Sequence, residues 1–548
     1  MKQQSTRFEP STPPLVWLIG GSDCGGSAGL QADLRAVTAL GGHGCPIMSA
    51  ITAQNSLQLQ ATFASTPQQL LSQLNTLIDD LPPAAIKIGQ LPDSSIAFAL
   101  AEWLSDYRQS QTVSAQHHPL EHHPLEHQPC ENHQKDGHSI EPARKAHPLV
   151  ATQVIWDPVI YASSGALLSA LCRDSINKLL QVVDIITPNL PELAIFTGAN
   201  IAALTVDDAH AQAQIERLRS DFRGDILLKG GHSAEQTSCT DAWYSQGQTS
   251  LLSLPRLMTA HTRGTGCTLA SAFATTLALG YQKEDALCLA RAYLQQALRR
   301  GYATGQGAGS LGVGNWPAEQ VDFPSWQPLN APLPSELKFS RLIQPIGLYP
   351  VVDDIQWLLR LLPLGVQTIQ LRLKNHPVAE LERQIQQAVA LCRDYQIQLF
   401  INDHWQLAIK YRAFGVHLGQ EDLAEADLAA IAASGLRLGV STHGYAELAR
   451  VLKLQPSYIA LGHIFPTQTK QMPSAPQGLK RLGDYVKLCE PLPTVAIGGI
   501  NQQNIQQVLQ SGVKAVAVVS AVVAATQPET AFIQLQQSVQ SLSNTRMS

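Results

Sequence analysis

Residues 261–280, HTRGTGCTLASAFATTLALG, place a turn of small residues directly before an alanine- and leucine-rich run. Gly264, Thr265 and Gly266 form the turn, and the run behind it has the composition of a helix. Backbone N–H groups at the start of a helix bind anions, so this stretch predicts a phosphate site. Kinases with such a loop commonly carry an aspartate after the second glycine, and here Cys267 takes that place. The stretch therefore leaves three interpretations open: a kinase that has lost its base, a cysteine enzyme, or a kinase that needs no carboxylate at this position.

Outward from this turn, short apolar runs alternate with stretches of helical length. The runs VWLIGGSD, AIKIGQL, QVIWDPVI, DIITPN and DILLKGGH are typical of buried strands that end in polar or glycine residues. This alternation predicts a parallel sheet covered by helices, with ligands at the carboxyl ends of the strands. Asp23, Asp157 and Asn189 end or follow three of these strands, so we expect chemistry near them.

Two segments interrupt the alternation. Residues 107–150 hold 8 of the 17 histidines and the repeat HHPLEHHPLE, a composition that predicts a disordered insertion. A solvated loop and a metal-binding tract are both open, since clustered imidazoles bind metals. Residues 317–341 are proline-rich without apolar periodicity and predict an interdomain linker. We therefore expect a short tail at 1–14 and a first domain at 15–316.

Beyond the linker the alternation restarts and can be counted. Eight candidate strands fit into about the last two hundred residues, which predicts a closed (β/α)₈ TIM barrel at 342–548. Polar residues follow most of these strands, so we expect an active site at that rim. The strands are IGLYPVVD, TIQLRLK, LFIND, GVHLGQED, RLGVSTH, YIALGHIF, TVAIGGI and AVAVVSA.

The bulk composition excludes some classes of function. With 45% hydrophobic residues, 15% charged residues and a net charge of −5 over 548 residues, the chain predicts a globular protein with no nucleic-acid or membrane partner. The brief apolar run near the start is broken by Gly20 and Gly21, which predicts neither a signal peptide nor a spanning helix. Nine scattered cysteines without a CxxC pair favour reduced thiols and a cytoplasmic location. A homo-oligomer is left open.

Charges of both signs gather at the predicted barrel rim. Asp403 and Asp422 follow neighbouring strands, and Arg372 and Lys374 follow the strand before them. Carboxylate oxygens suit Mg²⁺, which bridges phosphate oxygens, while arginine and lysine neutralise the remaining charge. Ordinary salt bridges at the rim are the alternative.

A long loop and two glycine-rich strand ends add further phosphate-binding groups. GHIFPTQTKQMPSAPQG, residues 462–478, carries Thr467, Thr469 and Lys470. Glycine-rich ends on the seventh and eighth strands supply backbone amides of the kind that bind phosphate in this fold. Two phosphate-sized sites and Mg²⁺ suit a reaction between two phosphorylated small molecules.

The motifs QLRLK, FINDHWQLA, GVHLGQEDL, LGVSTH, ALGHIFPTQTKQMPSAPQGL and VAIGGI resemble thiamine-phosphate synthase over roughly 342–525. The resemblance implies that hydroxymethylpyrimidine diphosphate loses pyrophosphate and that the nitrogen of thiazole phosphate captures the pyrimidine methylene cation. It also implies that Asp403 and Asp422 hold Mg²⁺. For the diphosphate it implies Gln370, Arg372, Lys374, Asn402 and Lys470, with Ser441 beside it, and for the thiazole phosphate Thr467, Thr469 and the backbone around Gly499, Val519 and Ser520.

In the N-terminal half, GGSDCGGSAGLQADL, ITAQNS, IKIGQL, DIITPNLPEL, LLKGGH and GTGCT resemble hydroxymethylpyrimidine/phosphomethylpyrimidine kinase, a family with the ribokinase-like α/β fold. The resemblance implies that ATP is the phosphoryl donor and that the product is the substrate of the C-terminal half. It implies that Lys229 binds in the ATP and Mg²⁺ region and that the turn forms an anion hole. Around the pyrimidine it implies Gly21, Ala28, Asp33, Thr52 and Gln54, and in the ATP region also Asn189, Glu192 and Thr265.

Cysteine is the usual residue after the GTG turn in this family. Cys267 is either a proton acceptor, with a pKa lowered by the helix N-terminus, or a small spacer that admits the phosphate to the amides of Gly264 and Gly266. Two residues depart from the family pattern. Arg263 replaces a histidine and either adds phosphate affinity or faces solvent, and Ser163 replaces a phosphate-binding lysine. A pyridoxal-type kinase and a pyrimidine-sensing regulatory module are the alternatives for this half.

Overall fold

The computed structural model describes residues 12–116, 151–162, 165–199, 205–231, 237–334, 337–467 and 475–545. Most of the histidine-rich insertion, Ser163, Thr469 and Lys470 lie outside these residues. Where the structure describes the chain, no helix is long and apolar enough to cross a bilayer.

Ten strands of the N-terminal half form one sheet in the order β10-β9-β8-β7-β6-β5-β4-β1-β2-β3. The six central strands, from β7 to β2 in this order, pair in parallel, and all of them except β2 follow predicted apolar runs. Strands β3, β9 and β10 pair antiparallel with their neighbours. In chain order the strands are β1 (Leu15–Asp23), β2 (His43–Gln54), β3 (Leu59–Ala64), β4 (Ala85–Ile88), β5 (Gln153–Trp156), β6 (Ile185–Ile186), β7 (Asp225–Leu228), β8 (Ser238–Ser245), β9 (Gln248–Pro255) and β10 (Ser325–Pro328).

The antiparallel edge has a local cause that the alternation does not reveal. Gln246 and Gly247, which join β8 to β9, both have positive φ angles, of 48° and 77°. Two such residues in succession form the turn that matches the twist of a hairpin. The predicted parallel sheet is therefore correct for the centre and wrong for the edges.

Helices follow most of the strands in this half. They are α1 (Gly29–Ala39), α2 (Pro67–Ile78), α3 (Ser94–Gln116), α4 (Arg173–Leu180), α5 (Leu190–Thr197), α6 (Ala209–Arg219), α7 (Thr265–Ala278) and α8 (Lys283–Arg299), with a short 3₁₀ helix at Gln320–Asp322.

The structure corrects the near ends of both predicted interruptions. Helix α3 continues to Gln116, so residues 107–116 are helical and not part of a disordered insertion. Tyr107 is buried, and its hydroxyl hydrogen-bonds to Thr152 Oγ1 at 2.9 Å. Within the predicted linker, Trp326 of strand β10 is buried and pairs with Leu252. Tertiary packing thus orders segments whose composition alone predicts loops.

The predicted closed barrel is confirmed, with the eight strands in chain order around it. They are β11 (Leu348–Val352), β12 (Thr368–Leu371), β13 (Gln398–Asn402), β14 (Gly415–Leu418), β15 (Arg437–Thr442), β16 (Tyr458–Leu461), β17 (Thr494–Ala496) and β18 (Ala515–Val518). The helices are α9 (Ile355–Leu361), α10 (Val378–Asp394), α11 (Trp405–Tyr411), α12 (Asp422–Glu425), α13 (Leu428–Ala433), α14 (Tyr445–Val451), α15 (Gly478–Cys489), α16 (Ile505–Gln510), α17 (Ser520–Val523) and α18 (Pro528–Thr545), with 3₁₀ helices at Leu362–Leu364 and Leu452–Leu454.

The chain divides into two compact units, each assembled from three segments of the sequence. The first unit comprises 1–228, 259–281 and 300–313, and the second comprises 229–258, 282–299 and 314–548. The second unit therefore contains the barrel together with β8, β9, β10 and α8. The domain boundaries inferred from the sequence remain predictions.

Within the second unit, a buried carboxylate of α8 meets the first turn of α14. Asp285 Oδ1 accepts a hydrogen bond from the backbone N–H of Ala446 at 2.9 Å. A Cβ atom on Gly444 would lie 2.2 Å from Asp285 Oδ2, so a glycine is needed here. Burial raises the pKa of Asp285 to about 7.

This pKa predicts a pH-dependent stability. The folded state binds a proton at Asp285 between pH 4 and 7, where the unfolded chain does not, so stability falls as pH rises through that range. Asp285→Asn keeps an oxygen acceptor and removes the titration. Between pH 5 and pH 8 the wild type should lose about 3 kcal/mol more unfolding free energy than the variant, measured by urea unfolding at each pH. Parallel pH curves for the two proteins would contradict this assignment.

Candidate active sites

The loop after β1 is shaped by one buried carboxylate. Asp23 ends the strand and is 1% exposed. Its Oδ1 accepts the N–H of Gly25 at 2.8 Å, and its Oδ2 accepts those of Ser27 and Ala28 at 3.1 and 2.9 Å. Through these three hydrogen bonds the carboxylate fixes the course of residues 23–28. We call this segment the acceptor loop.

The acceptor loop packs against the GTG turn at backbone distance. Gly264 precedes α7 with a φ of +83°, a conformation that L side chains rarely adopt. A Cβ atom there would lie 2.3 Å from the carbonyl oxygen of Ser27. Gly29 has a φ of +56°, and a Cβ atom on it would lie 2.2 Å from the carbonyl oxygen of Gly21. These glycines allow the predicted pyrimidine and phosphate sites to adjoin.

Cys267 stands in the first turn of α7, where the sequence predicts it, but its chemistry differs from the expectation of a lowered pKa. Burial raises the pKa of the thiol to about 11, although the Lys87 ammonium opposes this effect. Desolvation of the thiolate therefore outweighs the helix N-terminus. At neutral pH the residue is a thiol, which favours the spacer role over that of a proton acceptor.

A fully buried ion pair lies beneath this turn. Lys87 Nζ of β4 lies 2.9 and 3.1 Å from the two carboxylate oxygens of Asp33 in α1. Ser271, one helical turn after Cys267, donates to Asp33 Oδ1 at 2.6 Å. Burial has the largest single effect and would lower the pKa of Lys87, but the acidic neighbours, Asp33 first among them, together raise that pKa above its ordinary value. The cluster of Asp33, Lys87 and Ser271 thus ties together the strand and the two helices that begin at the site.

Lys87 is a residue that the sequence analysis misses. In IKIGQL it reads as one polar side chain inside a strand. The nearby Gly89 is a local indication of this role, because a larger residue there would collide with the lysine: a Cβ atom on Gly89 would lie 2.7 Å from Lys87 Nζ. Asp33, predicted to lie around the pyrimidine, has both oxygens bonded within this cluster, and its contact with substrate remains a prediction.

The other predicted pyrimidine residues lie on β1, β2 and the start of α1. Thr52 pairs with Asp23 across the two strands, and its hydroxyl donates to the carbonyl oxygen of Ser22 at 3.0 Å. The carbonyl oxygen of Gln54 accepts from Cys24 Sγ at 3.1 Å, which brings the end of β2 to the acceptor loop. Gly21 lies in β1 two residues before the acceptor loop, and Ala28 ends that loop directly before α1.

The predicted ATP residues Asn189 and Glu192 form the start of α5. Asn189 Oδ1 accepts the N–H of Glu192 at 2.8 Å, and the Glu192 carboxylate accepts the N–H of Asn189 at 2.8 Å. This reciprocal capping accounts for the positions of both side chains. A role of either residue in binding metal or nucleotide stays a prediction. Thr265 is half-buried at the start of α7, whereas Lys229 follows β7 and belongs to the second unit.

The sequence leaves open whether Arg263 faces solvent or adds phosphate affinity. The structure rules out the first option, because Arg263 is buried. Its Nη2 lies 3.2 Å from Asp23 Oδ2, and the two side chains are 7% and 1% exposed. Its backbone N–H donates to the carbonyl oxygen of Gly309 at 3.1 Å. Ser163, the other departure from the family pattern, lies outside the described residues.

In the second unit, the two predicted metal ligands adjoin at the barrel rim. The side chains of Asp403 and Asp422 are within hydrogen-bonding reach of each other; burial raises the pKa of Asp403, and the Asp422 charge raises it further. Asp403 follows β13 with a φ of +63°, and its N–H donates to the carbonyl oxygen of His417 at 3.0 Å. Two adjacent carboxylates are a donor set that fits a divalent cation, since its charge would relieve their repulsion.

A chain of hydrogen bonds crosses the barrel interior to Ser441. Gln370 Nε2 donates to the Tyr349 hydroxyl at 3.2 Å, which lies 2.8 Å from the Tyr458 hydroxyl. The Tyr458 hydroxyl lies 2.7 Å from His417 Nδ1, and His417 Nε2 lies 2.8 Å from Ser441 Oγ. The chain therefore joins two of the predicted diphosphate residues.

Sequence reasoning misses His417, Tyr349 and Tyr458. Burial lowers the pKa of His417 to about 4, so its imidazole is neutral and can both donate and accept in the chain. The sequence feature that could have indicated Tyr458 is Gly439 on the neighbouring strand β15, where a Cβ atom would be 2.2 Å from the tyrosine ring. That glycine makes room for the ring inside the barrel.

The remaining predicted synthase residues that the structure describes lie at the carboxyl ends of the strands. Arg372 and Thr467 are half-buried, Lys374 is exposed and Asn402 is 7% exposed. Gly498 and Gly499, after β17, have φ angles of +102° and +65°, and the carbonyl oxygen of Gly499 accepts from Asn504 Nδ2 at 2.9 Å. Val519 and Ser520 follow β18 at the start of α17. These positions match the predicted rim, while the contacts with substrate stay predictions.

The fold and these sites define a phosphate-handling enzyme with a ribokinase-like α/β half and a (β/α)₈ barrel. Residues 348–522 match the family model described as thiamine monophosphate synthase, and residues 23–115 and 140–312 match that described as phosphomethylpyrimidine kinase. The chain belongs to the thiamine-phosphate synthase family through its C-terminal part, and its N-terminal part belongs to the phosphomethylpyrimidine kinase family.

Among its relatives, the thiamine-phosphate synthase of Yersinia pestis (strain Pestoides F) is 59% identical over 192 residues, which is 35% of this chain and 89% of that protein. The phosphomethylpyrimidine kinase structure from Clostridium difficile 630 is 26% identical with a TM-score of 0.37, covering 52% of this chain and 98% of that one. The Staphylococcus aureus pyridoxal kinase in complex with pyridoxal is 20% identical with a TM-score of 0.42, covering 58% and 98%.

The buried Asp33–Lys87 pair predicts a strong stability effect. Lys87→Met leaves the Asp33 carboxylate buried without its cation and should cost about 3–5 kcal/mol of unfolding free energy. Lys178→Met, at an exposed lysine of α4, is the control and should change stability by less than about 0.5 kcal/mol. Urea unfolding measures both. Equal effects of the two substitutions would show that the pair contributes nothing beyond a surface lysine.

The raised pKa of Cys267 predicts tolerance of alanine. Because the thiol is protonated at neutral pH, Cys267→Ala should keep kinase activity within about tenfold of the wild type, whereas loss of a general base costs roughly a hundredfold or more. The pH profile of the kinase rate should show no inflection from this residue below about pH 9. A hundredfold loss in Cys267→Ala together with recovery in Cys267→Ser would reinstate the proton-acceptor role.

Proposed function

We propose that the N-terminal half transfers the γ-phosphoryl group of ATP to 4-amino-5-hydroxymethyl-2-methylpyrimidine and then to its monophosphate. The C-terminal half then couples the resulting diphosphate to thiazole phosphate, which yields thiamine phosphate and pyrophosphate. The observation that supports this proposal is that the GTG turn and the polar barrel rim are built separately, and each carries groups that suit phosphate. The product of the first site is the substrate of the second.

In the kinase half the chain's own contribution is positioning. The amides after Gly264 would hold the transferred phosphoryl group, and the acceptor loop would hold the pyrimidine alcohol beside it. Phosphoryl transfer has a loose transition state, so placement and charge neutralisation are sufficient without a strong base. This agrees with a Cys267 that remains a thiol. Mg²⁺ bound with ATP would supply further neutralisation of the phosphate charge.

In the barrel, Asp403 and Asp422 would hold Mg²⁺, which neutralises the diphosphate when bound. Arg372 and Lys374 follow the neighbouring strand and would bind the diphosphate oxygens, so the departing pyrophosphate remains paired with cations. Gln370 and Ser441 are held at fixed positions by the hydrogen-bond chain through His417. The thiazole phosphate would occupy the amides around Gly499 and Ser520, which directs its ring nitrogen to the pyrimidine methylene carbon.

A competition assay separates this function from that of a pyridoxal-type kinase. The purified protein should phosphorylate hydroxymethylpyrimidine in preference to pyridoxal when both are supplied at equal concentration with ATP and Mg²⁺. A preference for pyridoxal would replace the kinase function proposed here. Binding of the pyrimidine without consumption of ATP would favour a regulatory module.

The two active sites should be separable by single substitutions. Asp422→Asn removes a charge from the proposed Mg²⁺ site, so the variant should accumulate pyrimidine diphosphate and form thiamine phosphate at least about tenfold more slowly. Gly266→Val blocks phosphate approach to the turn amides and should give no product from the alcohol but normal product from supplied diphosphate. Chromatography of the products measures both. Wild-type coupling by Asp422→Asn would refute the metal site, and a loss of kinase activity in that variant would refute independent sites.

A further inference from the structure

Arg263 connects the two loops that meet at the proposed kinase site. It is the residue directly before the Gly264–Gly266 turn, and its guanidinium lies 3.2 Å from Asp23 Oδ2. Asp23 in turn binds three backbone N–H groups of the acceptor loop. The carboxylate therefore has two functions at once: it shapes the acceptor loop, and it joins that loop to the residue preceding the phosphate turn.

Both partners are held in place by further contacts within the first unit. The N–H of Arg263 donates to the carbonyl oxygen of Gly309 at 3.1 Å, so the backbone beside the turn is fixed. The hydroxyls of Ser27 and Ser310 lie 2.5 Å apart, which fixes the acceptor loop to the same segment. The buried Arg263 side chain thus bridges two anchored backbones.

We propose that the Arg263–Asp23 ion pair is a latch that holds the acceptor loop against the phosphate turn, which makes Arg263 a positioning residue for phosphoryl transfer. This inference rests on the kinase function proposed above and deepens it. The latch sets the separation between the acceptor oxygen, held by residues 23–28, and the phosphoryl group, held by residues 264–266.

The composition of the acceptor loop explains why it needs a latch. Cys24, Gly25, Gly26, Ser27 and Ala28 are small, and the glycines leave the unbound segment many backbone conformations. Its order depends on Asp23, whose buried charge is stable only with partners. Removal of the Arg263 cation leaves that carboxylate on backbone donors alone, so the loop loses its connection to the turn. A displacement of about 1 Å at a reacting centre can cost on the order of a hundredfold in rate.

The latch acts on the acceptor side, which gives it a kinetic signature. Arg263→Met should lower kcat/KM for hydroxymethylpyrimidine at least about tenfold and leave the KM for ATP within about twofold of the wild type. Arg263→Lys keeps a cation and should recover part of the loss. Synthesis of thiamine phosphate from supplied diphosphate in the same preparation should be unchanged, which checks the integrity of the rest of the chain.

A double-mutant cycle tests whether the two residues act as one unit. Asp23→Asn and Arg263→Met should each reduce kcat/KM. The double variant should lose no more kcat/KM than the single variant with the larger loss. Arg108→Met is the matched control, because Arg108 pairs with Asp184 at 2.7 Å just before β6, at the amino end of that strand. The control should retain wild-type kinase kinetics.

Each outcome decides the inference. Kinetics of Arg263→Met within twofold of the wild type, additive losses in the cycle, or an equal rise in both KM values would overturn the latch. If Arg263→Met fails to fold, as its melting temperature would report, the cycle is run with Arg263→Gln, which also removes the cation but keeps a polar side chain, and is read in the same way. A wild-type protein that does not phosphorylate the pyrimidine would instead refute the proposed function, whatever the variants do.

Discussion

The buried Asp33–Lys87 ion pair is the interaction on which the kinase half depends. Its partners come from α1 and β4, and Ser271 brings α7 to the same carboxylate. Charges without solvent are stable only when they are paired and hydrogen-bonded. The pair therefore couples the strand to both helices, and it requires the helix starts that carry the acceptor loop and the phosphate turn to adjoin. The small residues of that region then allow contact at backbone distance.

The barrel uses a comparable device made of neutral groups. The hydrogen-bond chain from Gln370 to Ser441 passes through two tyrosines and a histidine whose pKa is lowered to about 4 by burial. Burial outweighs the nearby Asp422 charge, so the imidazole is neutral and the interior remains satisfied without a salt bridge. Charges are kept at the rim, where Asp403, Asp422, Arg372 and Lys374 follow the strands.

The sequence reveals those parts of the molecule whose signal is local. Apolar runs predict the barrel strands and the centre of the sheet because buried strands need such runs. Lys87 and His417 are not predictable in the same way, since their roles depend on Asp33 and Tyr458 far along the chain. The pKa of Cys267 goes against the local argument from the helix N-terminus because burial has the larger effect. Likewise, Tyr107 and Trp326 order segments of loop-like composition through contacts made elsewhere.

The different electrostatics of the two sites follow from the different reactions proposed for them. In phosphoryl transfer the phosphate moves between two oxygen atoms, so backbone amides at a helix start, well-placed neighbours and the Mg²⁺ that would accompany ATP share the neutralisation of its charge. In ring coupling a whole pyrophosphate leaves a carbon that becomes cationic, and the leaving group must be stabilised by full charges. Charged side chains without a metal would bind each other at such a rim. The proximity of Asp403 and Asp422 supports the proposed Mg²⁺ site, because two carboxylates that repel each other favour a divalent cation over a salt bridge with one arginine or lysine.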